Sequence, residues 1–116
     1  MKKDFTSEKT DEYGCTIRRN DKGELHSLYS PAVEHASGNK FWYQNDLPHR
    51  TDGPADEYTD GYNAWYQNGK LHRTDGPAVE WSDGGKLWYL NGDFIGGSED
   101  GFTDEDFENY KREHNI

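Results

Sequence analysis

A 23-residue period runs through this chain and limits what it can fold into: Trp42, Trp65 and Trp88 recur at that interval, as do Tyr43, Tyr66 and Tyr89. Asn45, Asn68 and Asn91 keep the same spacing, and so do His26, His49 and His72. Pro31-Ala32, Pro54-Ala55 and Pro77-Ala78 continue it, then Glu34, Glu57 and Glu80, and Gly38, Gly61 and Gly84 close the units. The register reads without an insertion, so the units are expected to stack as equivalent pieces, each contacting its neighbours.

Within a unit, turn signals alternate with short aromatic and β-branched runs. Asn68-Gly69 and Asn91-Gly92 suit type I′ hairpin turns, because Asn and Gly reach positive φ at low cost. Asp60-Gly61 and Asp83-Gly84 read as turns of the same kind. Ala64-Trp65-Tyr66-Gln67 and the run from Lys70 to Trp81 suit strands. Asp75-Gly76-Pro77 predicts a bulge or sharp bend in the longer run, since proline donates no ladder bond and glycine packs nothing. Each unit is then one bent hairpin, and successive hairpins form an antiparallel meander.

The pattern Trp-Tyr-x-Asn-Gly-x-x-His-Arg-x-Asp-Gly-Pro-Ala, with aspartate-glycine closing each unit, resembles MORN-type repeats. It is closest to a variant found in uncharacterised phage and giant-virus proteins, and covers roughly residues 17–95. The resemblance implies an elongated single-layer sheet of hairpins in a phage-type or viral accessory protein. His-Arg and Gly-Pro stand where that family often has glycines, so lipid binding does not carry over.

The expected organisation is a loose polar tail over 1–12, four repeats over 13–97 with degenerate ends, and an acidic capping helix over 98–116. In the first repeat, Arg19 and Asn20 stand in the places of Trp and Tyr, and Arg18 and Arg19 discourage edge pairing. Thr103 is placed to cap the helix, with Asp106 at the capping-box position and Phe102 and Phe107 as a hydrophobic staple. Phe107, Tyr110 and His114 share a face, and the helix is expected to pack on the last hairpin and cover the sheet's open edge. The fold class is therefore all-β, a single-layer antiparallel meander of repeated hairpins with a short C-terminal capping helix.

Only 30% of residues are hydrophobic and half of those are aromatic (15%), so the aromatic columns must carry most of the burial. Half of the net charge of −10 lies in residues 99–116, which hold seven acids and two bases. Such a balance disfavours direct contact with nucleic acid or an anionic membrane, and it suits a basic protein partner or mimicry of nucleic acid. A single cysteine, Cys15, forms no intrachain disulfide and favours a reducing compartment. Neither a membrane-spanning run nor a signal-peptide pattern at Met1-Lys2-Lys3-Asp4 is present, so a cytoplasmic location is expected, that of the host if the protein is viral.

The residues most suggestive of chemistry are His49-Arg50 and His72-Arg73, with Asp52 and Asp75 nearby. Two readings stand: each arginine pairs with the aspartate of its own bend or with Glu57 or Glu80, or the columns line a groove that holds a phosphorylated ligand with a base stacked on Trp or Tyr. Metal-ligand spacings, nucleophile elbows and phosphate-binding glycine loops are missing, so no cofactor and no enzymatic activity are expected. Adjacent strand residues face opposite sides, so one of the Trp42/Trp65/Trp88 and Tyr43/Tyr66/Tyr89 columns should be partly exposed in a monomer. These six aromatics, with His49, Arg50, His72 and Arg73, are the candidate binding residues. The functional expectation is a non-catalytic module that binds or inhibits a protein partner. Its alternatives are a nucleotide-type ligand sponge, a self-assembling repeat protein, and an acidic nucleic-acid mimic.

Overall fold

The computed structural model describes residues 4–116. Its strands are β1 (Ser7–Thr10), β2 (Thr16–Arg19), β3 (Val33–Glu34), β4 (Lys40–Phe41), β5 (Tyr43–Gln44), β6 (Leu47–Pro48) and β7 (Asp56–Glu57). They continue as β8 (Asn63–Ala64), β9 (Tyr66–Gln67), β10 (Lys70–Leu71), β11 (Val79–Glu80), β12 (Lys86–Leu90) and β13 (Asp93–Gly97). A 3₁₀ turn (Ser98–Asp100) leads into the helix α1 (Asp104–Glu113). Among the described residues, nine strands form one antiparallel sheet in the order β1-β2-β3-β4-β7-β8-β11-β12-β13. The hairpins β5–β6 and β9–β10 stand beside it as a second row. The fold is thus the expected all-β hairpin meander with one short C-terminal helix, drawn out to 46 × 30 × 22 Å.

The two rows arise from one bend per strand. Trp42 and Trp65 sit at the bend on one side of each unit, and Pro54-Ala55 and Pro77-Ala78 sit opposite. There the tryptophan backbone N–H donates to the alanine carbonyl of the next arm, Trp42 to Ala55 and Trp65 to Ala78, at 2.7 Å in both cases. Ala32, Ala55 and Ala78 are completely buried, so a larger side chain in the column would have to displace its neighbours. The predicted break at Asp75-Gly76-Pro77 is present, since β10 ends at Leu71 and β11 begins at Val79.

The hairpin tips are of two kinds. Asn45-Asp46, Asn68-Gly69 and Asn91-Gly92 carry positive φ at both positions, as a type I′ turn requires. The Asp-Gly tips differ from the expectation: only Gly61 and Gly84 have positive φ, and Asp60 and Asp83 do not. The Gly61 N–H donates to the Tyr58 carbonyl and the Tyr58 N–H to the Tyr62 carbonyl, which is a three-residue loop ending in a left-handed glycine. Asp60 Oδ1 accepts from the Tyr62 N–H, so the aspartate braces the loop instead of adopting a left-handed backbone itself.

Three further expectations are corrected. Residues 7–10 of the polar tail are an edge strand, β1 on β2, held by backbone bonds, a Thr10–Thr16 hydroxyl contact and the Glu8–Arg18 ion pair; residues 1–3 lie outside the described part. Arg18 is therefore interior to the sheet and guards no edge. The first unit is also one residue longer in its hairpin: the Arg18 N–H donates to Ala32 O and Arg18 O accepts from His26, the bonds that Trp42 makes to Ala55 and His49. Arg18, not Arg19, occupies the tryptophan column. The turn Asn20-Asp21-Lys22-Gly23 absorbs the extra residue, with the Gly23 N–H donating to Asn20 O.

Helix α1 begins as the sequence predicts. Thr103 accepts from the Asp106 N–H, Asp106 accepts from the Thr103 N–H, and three acids occupy the first turn. The helix packs on the last hairpin, Phe107 against Trp88 and Leu90 with Ile95, Phe102 and Tyr110 flanking, and it reaches the preceding unit through Lys111, whose Nζ donates to the Thr74 carbonyl at 2.7 Å.

Candidate functional site

Strand register separates the sheet into two chemically distinct faces, because residues directly opposed in an antiparallel pair point the same way. One row reads Thr16, Glu34, Lys40, Glu57, Asn63, Glu80, Lys86. The alternate row reads Ile17, Val33, Phe41, Asp56, Ala64, Val79, Leu87. The first is the polar face; the second is apolar apart from Asp56.

The predicted His-Arg columns lie with the polar row. Arg50 Nε donates to Asp52 (2.9 Å), and Nη1 to the Pro54 carbonyl and to Glu57 (both 3.1 Å). Arg73 repeats the set on Asp75 (2.7 Å), the Pro77 carbonyl (3.0 Å) and Glu80 (3.5 Å). Each guanidinium also stacks 3.9 Å above a tryptophan ring, Arg50 on Trp42 and Arg73 on Trp65. This is the first of the two sequence readings: each arginine locks its own bend. The Asp75 carboxyl is held below the usual aspartate range by its bond from Arg73. The first unit has serine at the arginine position, Ser27, and Arg18 reaches in from the tryptophan position to bond Pro31 O and Glu34. The same acceptors are met by a guanidinium arriving from the other arm, which the period alone does not reveal.

The histidines also make a repeated contact within the chain. Nδ1 of His26, His49 and His72 accepts from the backbone N–H of Asn45, Asn68 and Asn91, at 2.9–3.1 Å. Each imidazole thus ties one hairpin tip to the next and is held with Nδ1 unprotonated. Burial pushes the His49 pKa below its ordinary value. Between the second and third bends lies a cavity of about 340 Å³, bordered by Asp52, Trp65, His72, Arg73 and Asp75.

The tyrosine column lies on the apolar face. Burial pushes the hydroxyls of Tyr43, Tyr62 and Tyr66 above the ordinary tyrosine range, and the nearby Asp56 carboxylate adds to each shift. Tyr89 packs edge-on against the exposed Phe94, ring centres 5.4 Å apart. Trp42 instead donates to Glu57 on the polar side, so the two columns do face opposite ways.

The fourth tryptophan departs from its expected role. Trp88 is only 1% exposed and presents no anchor to a partner. In its unit Gly96 replaces the arginine of the column, and a Cβ there would collide with the Phe102 ring. The glycine lets Phe102 and Phe107 cover Trp88, with ring centres at 5.1 and 6.4 Å, where arginine covers the earlier tryptophans.

Two features were not singled out from the sequence. A ladder of rings crosses the Asp-Gly hairpins on the apolar face: His35–Phe41–Tyr58–Tyr62–Trp81, each step 5.3–5.6 Å between centres. Tyr58 and Trp81 in it are 37% and 40% exposed. His35, Tyr58 and Trp81 share the 23-residue interval, the signal that could have found them. The second is Asp56, whose column otherwise holds Val33 and Val79. Cys15 closes one end of the ladder, its Sγ 3.5 Å from His35 Nδ1.

Among the described residues, no three of His, Cys, Asp and Glu converge as a metal site, and no helix is long and apolar enough to cross a membrane. No protein-family model matches the chain, and neither a curated protein nor a solved structure does.

Proposed function

We propose that this chain is a non-catalytic, MORN-like repeat module that binds a protein partner through its tyrosine face. A phage-type or viral accessory role in the host cytoplasm is the setting that fits the sequence resemblance. The observation that carries the reading is the aromatic ladder with its exposed Tyr58 and Trp81, continuous with the row from Ile17 to Leu87. Rigid aromatic anchors on a sheet lose little side-chain entropy on binding, and such residues dominate protein interfaces. The acidic net charge of −10 favours a basic partner and speeds the encounter.

A phosphorylated small ligand in the cavity beside Arg73 is the second reading, favoured by the convergence of Trp65, His72 and Arg73 there. It is weakened because Nε and Nη1 of that arginine are already engaged by Asp75, Pro77 and Glu80. Affinity capture from a bacterial lysate, followed by native mass measurement, separates these readings. A single stoichiometric protein supports the first. A discrete small-mass adduct supports the second, and a homo-oligomer with neither points to self-assembly.

A further inference from the structure

Asp56 is the one charged residue in the apolar row. Its register partners are Phe41 on β4 and Ala64 on β8, and the rows beyond them hold Val33 and Val79. The repeat therefore supplies valine at this position in both neighbouring units, and the second unit alone has a carboxylate. Among the described residues the Asp56 side chain makes no hydrogen bond and no ion pair. The basic residues closest in register are committed to the other face: Lys40 stands opposite Glu57, and Arg50 is bonded to Glu57. An aromatic residue, Phe41, stands opposite Asp56 in register. Tyr58 follows two residues later on the same side, with its ring against Phe41 and Tyr62, and Tyr43 on β5 and Tyr66 on β9 are near enough for the carboxylate to add to the upward shift of their hydroxyls.

An unpaired carboxylate among apolar neighbours is costly, and burial pushes its pKa up to about 6. Nothing in the fold requires it, because valine serves in the adjacent units. What the arrangement suits is a cation: the carboxylate neutralises its charge, and the neighbouring aromatic residues offer it cation–π contact. A neutral donor would hydrogen-bond to Asp56 but leave its charge uncompensated, a charged donor binds it more strongly, and an anion would be repelled. A divalent metal needs more oxygen ligands than one carboxylate offers.

We propose that Asp56, with Tyr43, Tyr62 and Tyr66, forms a recognition subsite for an arginine or lysine side chain of the partner protein. The proposal rests on the reading of this face as the protein-binding surface. A guanidinium suits it best, since its plane stacks on tyrosine while its N–H edge meets the carboxylate. The cation replaces the donor that the chain itself does not supply.

The test uses acetyl-arginine amide and its uncharged counterpart acetyl-citrulline amide, titrated at pH 7 while the ring resonances of Tyr43, Tyr62 and Tyr66 are followed by NMR. The wild type is compared with Asp56→Asn and with Asp56→Val, which restores the residue of the neighbouring units and so keeps the fold. Saturable shifts with the arginine probe only, weakened at least about tenfold in both variants, are expected. Equal shifts with citrulline, no saturable shift with arginine, or undiminished binding to Asp56→Val would each overturn the subsite. Capture by the variants separates this from the wider reading. A partner held equally by wild type and Asp56→Val but lost on Tyr58→Ala/Trp81→Ala removes the subsite and leaves the binding face intact. A partner held equally by all three removes both.

Discussion

Replacing Asp56 with valine should make this protein more stable, and the size of the gain follows from the structure. Burial moves the carboxyl from the ordinary aspartate value of 3.8 to about 6. Two units correspond to about 3 kcal/mol against the ionised form at neutral pH. The side chain is only part-buried, so solvent screening reduces this to about 1–2 kcal/mol. Valine methyls between Phe41 and Ala64 add about 1 kcal/mol if roughly 40 Å² of apolar area leaves water. The sum, about 2–3 kcal/mol, raises the melting temperature by about 10 °C in a domain of this size. The pH dependence carries the sign. Between 3.8 and about 6 the folded protein holds more protons at Asp56 than the unfolded chain does. The penalty is thus complete above about 6 and relieved as pH falls toward 4. The groups facing Asp56 are tyrosines, and those at 43, 62 and 66 are pushed upward, away from this window. Thermal melts of both proteins from pH 7 to 4.5 provide the assay, because contributions from His49 cancel in the difference. A variant that melts no higher than wild type at pH 7, or whose advantage is the same at pH 4.5, would refute the reasoning.

Five other outcomes are expected. Arg73→Ala should cost about 2–3 kcal/mol in urea unfolding, since the side chain bonds Asp75, the Pro77 carbonyl and Glu80 and stacks on Trp65. Arg73→Lys should recover less than half of that loss, because an ammonium lacks the planar fork. Gly96→Ala should cost about 2 kcal/mol or more and perturb Trp88 fluorescence, because the new Cβ meets the Phe102 ring. Phe107→Ala, at a buried position against Trp88 and Leu90, should cost about 3–5 kcal/mol and release the helix, read by near-ultraviolet circular dichroism. In the Asp56→Val background the melting temperature should fall on acidification from pH 7 to 5. There His49, its pKa lowered by burial, contributes stability above the ordinary imidazole value and loses it as pH drops through the folded one.

The hairpin architecture was legible because its signals are local. Asn-Gly dipeptides set the type I′ tips, Asp-Gly-Pro breaks the strand, and Thr103 with Asp106 caps the helix. The pairing of each arginine with its own bend was one of two readings, and proximity in sequence pointed to it. What escaped depends on comparing columns in space. Asp56 is one of 23 acids and looks ordinary until its register neighbours are seen to be valines. The ring ladder joins one periodic column to Phe41 and Tyr62 from other columns, so the period alone does not assemble it. Arg18 was misplaced because a longer turn shifts the backbone by one residue while leaving later spacings intact. The edge strand β1 is polar on both sides and pairs through its backbone, which hydrophobic patterning does not register. Trp88 looked like its counterparts, and its burial follows from the helix folding back over a position where Gly96 leaves room.

The most direct test of the account is a binding titration of the captured partner against variants on opposite faces. Tyr58→Ala/Trp81→Ala truncates the exposed rings of the tyrosine face, and Lys40→Ala changes an exposed residue on the polar face. With melting temperatures shown to be close to wild type, the double variant is predicted to lose about 100-fold in affinity while Lys40→Ala binds as wild type does. Equal affinity for both variants, or loss confined to Lys40→Ala, would contradict the assignment of the tyrosine face as the binding surface.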